Sequence, residues 1–313
     1  MNATAIAYLR IFLLISPGLL AEVLSGNTYI TKLFNPVDLF FLVLAYGIPV
    51  LLIWEIKVKY ELSTLGIFIL GLAYGIFNEW IMAKTILESS LVPLWGFRWF
   101  GNYFWLNLSW SVMILPWHAF FSVSFPIAIA HILFPELCKT SLISRRLTIV
   151  SFISMCLLLP ILAKGWQWNI SIQLYVFLYG FMVIAYYMSI YLKSRISHNL
   201  WIKYWLRWGL SLVLLYLFQF IAAGRISLSL YIILSIILVF FFVRFFLRLS
   251  DSEKSRFAFG GYISFWAFGT LASLGAGRID LLIIYPILIG ILYYFLRKRG
   301  VFGLCYSEKV NTL

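Results

Sequence analysis

The chain has 313 residues, of which 63% are hydrophobic and 11% charged, with a mean hydropathy of +0.98. A soluble domain carries about 25% charged residues, so this composition excludes a water-soluble globular fold and implies a multi-pass membrane protein whose first partner is membrane lipid. The net charge of +13 fits basic loops on the cytoplasmic side of a membrane, and no basic stretch is long enough for a separate nucleic-acid-binding element.

Crossing a bilayer takes about 20 consecutive apolar residues. Runs of that kind predict helices over 5–24, 37–54, 62–82, 105–134, 147–164, 170–192, 205–223, 226–248, 257–277 and 281–296. The first run lacks a basic segment ahead of it and is interrupted by Arg10, so it reads as a retained helix, not a cleaved signal peptide. The loops near 55–61, 135–146, 193–207 and 244–256, with the C-terminal tail, hold 17 Lys and Arg against 6 in the alternate loops. The expectation is an all-α polytopic membrane helix bundle of about ten transmembrane helices with both termini cytoplasmic, in the cell membrane. Cys138 and Cys305 fall on the cytoplasmic side and Cys156 within the fifth helix, with no CxxC spacing for metal.

The halves differ. Eight of nine prolines lie at or before Pro160, as do His118 and His131. Broken helices need neighbours to satisfy freed backbone groups and so tend to line sites. Residues 1–165, helices 1–5, are therefore expected to hold the polar site, and 166–313, helices 6–10 with a short basic tail, to serve mainly as scaffold.

An ionisable side chain at the centre of a membrane helix costs about 2.5–3.5 kcal/mol on insertion scales, so Glu79 and His118 stand out as a candidate catalytic pair. Gly71, Gly75, Glu79 and Ala83 recur every four residues and share one face of the third helix, three of them small as close packing in lipid requires. Asn107, Ser111, His118 and Ser122 form a matching stripe on the fourth. Counting the helical rise places Glu79 and His118 at similar depth near the outer leaflet. A buried Glu–His pair can be a reactive site or a structural bond, and the residue types alone fit both.

The outer loop between the third and fourth helices is dense in aromatics. Trp95, Arg98, Trp99, Tyr103 and Trp105 fit an interfacial belt and equally a docking surface for a protein partner at the outer face. His131 reads as an interfacial histidine. No cofactor is evident: with His118, His131 and His198 as the complete set, at most one bis-His haem could be built, and their depths favour no pair.

A Glu on one helix followed by a His on the next resembles the intramembrane proteases of the prenyl-protease group over those few residues, although Asn78 stands where that group has a second acid and its further His or Asp ligands have no counterpart. That resemblance implies a hydrolase using Glu79 and His118. Ten helices with two cytoplasmic ends are also similar to the drug/metabolite transporter architecture, by topology alone, although the unlike halves depart from its inverted repeat. The sparse catalytic side chains and the aromatic loop lead instead to a membrane-anchor or accessory subunit of a larger complex, for instance a respiratory or redox assembly. The intramembrane enzyme and the small-molecule transporter are the alternatives.

Overall fold

A computed structural model describes residues 3–25, 28–93, 95–103, 106–162, 183–188, 190, 209–273 and 279–302. Its principal helices are α1 (Ala3–Val23), α2 (Pro36–Tyr60), α3 (Thr64–Met82), α4 (Leu108–Leu133), α5 (Arg145–Leu162), α6 (Leu212–Ala222), α7 (Leu228–Leu247), α8 (Asp251–Ser273) and α9 (Ile279–Lys298). Five of them, α1 to α4 and α7, are long and apolar enough to cross a bilayer. The expected span at 170–192 falls largely outside the described residues. Between α3 and α4 the chain also makes a small hairpin of β1 (Asn102–Tyr103) and β2 (Leu106–Asn107).

Hydropathy marks the runs, and capping side chains set where each helix starts. Ser63 accepts from Gly66 N–H at 3.2 Å ahead of α3, and Asn107 from Trp110 N–H at 2.9 Å ahead of α4. Asn35 caps α2, with Pro36 supplying a first turn that needs no N–H. The expected starts at 62 and 105 therefore move inward to the residue after each cap.

α2 runs on to Tyr60, past the expected end at 54, because its charged last turns clasp the connection that follows α4. Buried Glu55 accepts the N–H of Leu142 at 2.6 Å and of Ile143 at 3.2 Å, and the Ser141 hydroxyl at 2.6 Å. Trp54 Nε1 donates to Thr140 O at 3.1 Å, Lys57 to Cys138 O, and Arg10 Nε on α1 to Leu142 O at 2.6 Å. The Arg10 that interrupts the first apolar run is thus placed by a backbone carbonyl.

α4 is the hub. Its Phe120, Phe121 and Phe125 interlock with Phe246 on α7 and with Phe257, Tyr262 and Phe265 on α8. On its other side α3 comes in backbone to backbone. A Cβ on Gly71 would lie 2.7 Å from Ala119 Cα, and one on Gly75 would lie 3.2 Å from His118 Cβ, so the small residues of the α3 stripe set the helix separation.

Each of α1 to α4 contains a stretch wound as a π-helix: Leu19–Val23, Val43–Gly47, Phe77–Met82 and His118–Ser124. Prolines adjoin three of them, and their missing N–H groups explain two cross-helix bonds. Pro49 gives nothing to the turn before it, and the Tyr74 hydroxyl instead donates to Ala45 O at 2.9 Å. Pro126 likewise leaves Phe121 O, five residues back at the π spacing, to the Tyr262 hydroxyl at 2.8 Å.

Candidate functional site

The four π-turns carry Glu22, Tyr46, Glu79 and His118, and they converge. A π-turn inserts an extra residue and re-aims the side chains around it, which is why such turns recur at functional sites. His118 Nε2 lies 2.8 Å from Glu79 Oε1, with His118 fully buried and Glu79 6% exposed. The sequence-derived pair is therefore in direct contact.

Around that contact the hydrogen bonds are complete. The Thr85 hydroxyl donates to Glu79 Oε2, and Trp110 Nε1 reaches both Thr85 Oγ1 at 2.8 Å and Glu79 Oε2 at 3.3 Å. On the far side of the imidazole, Nδ1 lies 3.0 Å from Ser122 Oγ. Thr85 and Trp110 can only donate to a carboxylate oxygen, and neutral His118 donates when its proton is on Nε2; Nδ1 then accepts from Ser122. Every partner of Glu79 can thus be a donor, the complement of an ionised carboxylate. The imidazole is walled by rings: Trp117 at 4.8 Å, Tyr74 edge-on at 5.5 Å and Tyr46 at 6.2 Å between centroids.

Tyr46 links this pair to a second, partly buried acid. Its hydroxyl donates to Glu22 Oε1, and Thr28 donates to Glu22 Oε2 at 3.3 Å. Asn78, next to Glu79, turns away from the pair and donates to the Tyr74 hydroxyl at 2.9 Å. Among the described residues no group of three His, Cys, Asp or Glu is close enough to hold a metal ion. The arrangement is suited to moving protons: a carboxylate and an imidazole share a hydrogen bond, and hydroxyl and indole donors fix the carboxylate.

Several expectations are corrected. Ser111 does not continue the His118–Ser122 face: its hydroxyl donates to Asn107 O at 2.6 Å, and the residue lines an apolar groove between α3, α4 and α7. Asn107 caps α4 and donates to Phe97 O at 2.6 Å, so it too serves the backbone. Of the expected stripe, His118 and Ser122 keep their contact within the π-turn. His131 lies thirteen residues beyond His118, about 20 Å along α4, where it packs at 5.5 Å against Trp54; His198 and Cys305 fall outside the described residues.

The aromatic loop divides. Trp99 and Tyr103 are exposed, at 75% and 59%. Arg98 is half-buried, its Nε donating to Val92 O at 2.8 Å. The Trp95 side chain and Trp105 lie outside the described residues. Sequence reasoning missed Glu22, Tyr46, Tyr74, Thr85 and Trp110. Glu22 had one available signal, as the single acid in the first apolar run.

The profile of an uncharacterized membrane protein family matches residues 11–301. The chain belongs to that family. No curated protein and no solved structure matches it. Family membership and the apolar helices make it a membrane protein, and residues 11–301 take in all of Glu22, Tyr46, Glu79 and His118.

Proposed function

We propose that the chain is an intramembrane enzyme of hydrolase type, with Glu79 and His118 as its acid–base pair, in a ten-span bundle whose termini are both cytoplasmic. The observation that carries this reading is the 2.8 Å contact of two ionisable side chains inside a bundle of apolar helices. Such groups are costly in a membrane interior and are by default functional there. In the proposed step Glu79 accepts a proton from a water whose oxygen attacks a carbonyl carbon. The C–O bond forms, the bond to the leaving group breaks, and Glu79 returns the proton to that group. His118 holds the carboxylate in place through the 2.8 Å contact at Nε2. General base catalysis of this kind contributes about 10²–10⁴-fold.

The test is turnover of lipid esters and membrane-embedded peptides by the purified protein beside its Glu79→Gln variant. Loss of turnover in a variant that still folds supports the assignment. Equal turnover in both removes Glu79 from the chemistry.

An accessory-subunit role is the second reading, supported by the exposure of Trp99 and Tyr103 on the loop between α3 and α4. It predicts that a partner protein co-purifies at fixed stoichiometry in mild detergent and is lost when both residues are changed to serine.

A further inference from the structure

A pocket of about 210 Å³ with a mixed polar and apolar lining opens between α1, α2 and the connection joining them, and it is not part of the Glu79–His118 pair. Glu22, Thr28, Lys32, Asp38, Phe41 and Tyr46 are its chemically distinctive walls. We infer that it binds a small organic ammonium group, free or as the head of a lipid, with Glu22 as the counter-ion.

Charge is the first argument. Lys32 and Asp38 lie 3.9 Å apart, both substantially exposed, and offset one another. That leaves Glu22 as the formal net charge of the lining, −1 on a chain whose formal charge is +13. Among the described residues each Glu22 oxygen receives one donor, from Tyr46 or Thr28, and a carboxylate oxygen accepts two. A cationic N–H or N–CH₃ group therefore finds both charge and unused acceptor capacity.

Shape and wall chemistry narrow the class. Phe41 and Tyr46 are both in the lining, and aromatic rings attract ammonium groups by about 0.5–2 kcal/mol each. The volume is large enough for a trimethylammonium or ethanolamine-sized group. The neighbouring side chains Phe34, Val37 and Phe40 are 83%, 61% and 57% exposed, an apolar surface along which a lipid tail can lie.

The experiment is isothermal titration of the purified full-length protein in a neutral maltoside detergent, and it reads binding without turnover, so it stands apart from the hydrolase reading. The probes are choline, its uncharged isostere 3,3-dimethylbutan-1-ol, and decyltrimethylammonium. Choline is expected to bind at least ten-fold more tightly than the isostere, and Glu22→Gln to lose at least ten-fold of that affinity. Tighter binding of the tailed probe identifies a lipid as the source of the head group, and equal affinity identifies a free amine. Equal binding of choline and its isostere overturns the inference, as does choline binding unchanged in Glu22→Gln. If that variant does not fold, the isostere comparison on the wild-type chain decides alone.

Discussion

Replacing Glu79 by glutamine tests whether the buried pair is built for proton transfer or for holding helices together. In the wild-type site three bonds end on the carboxylate, from His118, Thr85 and Trp110, and a fourth joins His118 to Ser122. A glutamine there can keep all four. Its carbonyl accepts from Thr85 and Trp110 while its amide donates to His118 Nε2. The imidazole then carries its proton on Nδ1 and donates to Ser122. What is lost is charge assistance, about 1 kcal/mol per bond, and the variant is relieved of holding a carboxylate out of water. The net loss of stability should not exceed about 1 kcal/mol. His118→Ala is different: it strips a buried carboxylate of its partner, at about 3–5 kcal/mol, and opens a cavity against Gly75 and Tyr46. Thermal unfolding in detergent, followed by tryptophan fluorescence, should therefore place Glu79→Gln close to wild type and His118→Ala well below it. Equal, large losses in both variants would refute the reasoning and return the pair to a structural role.

Other consequences follow from the packing. Glu55→Ala leaves the N–H groups of Leu142 and Ile143 without their acceptor, and it should cost about 3 kcal/mol, read as a lower melting temperature with no effect on Glu79 chemistry once folded. Gly71→Val drives a side chain into the backbone of Ala119 and should destabilise by at least about 2 kcal/mol, whereas Gly290→Ala on α9, where a Cβ meets nothing within 4 Å, should leave the melting temperature unchanged. Burial pushes the Cys138 thiol above its ordinary pKa. Its maleimide labelling should thus be slow at neutral pH and rise steadily toward pH 9 as thiolate forms. Under the proposed orientation an impermeant maleimide should reach Cys138 only from the inner side of sealed vesicles, and labelling from outside would reverse it.

Much of this arrangement was legible in the sequence, for physical reasons that particular residues display. The apolar runs find α1 to α4 and α7 because lipid demands about 20 apolar residues for each crossing. Gly71, Gly75 and Glu79 point to a tight seam, since a four-residue repeat puts them on one helical face, and α4 is indeed packed there. The Glu79–His118 contact followed from two antiparallel neighbours and matching depths. Glu22 and Tyr46 were not legible: their convergence depends on π-turns, which arise from interhelix packing around Pro17, Pro49 and Pro116 and leave no period in the sequence. Prolines adjoin three of the four π-turns among the described residues, yet their positions alone do not show which side chains those turns gather.

The central claim, hydrolysis driven by Glu79 and His118, is tested most directly without choosing a substrate in advance. Purified protein is incubated with a total lipid extract and a pool of hydrophobic peptides in ¹⁸O-labelled water, and new carboxylates are read by mass spectrometry. ¹⁸O-labelled carboxylates are expected from the wild-type chain and none with Glu79→Gln. Identical spectra from wild type and Glu79→Gln would contradict it.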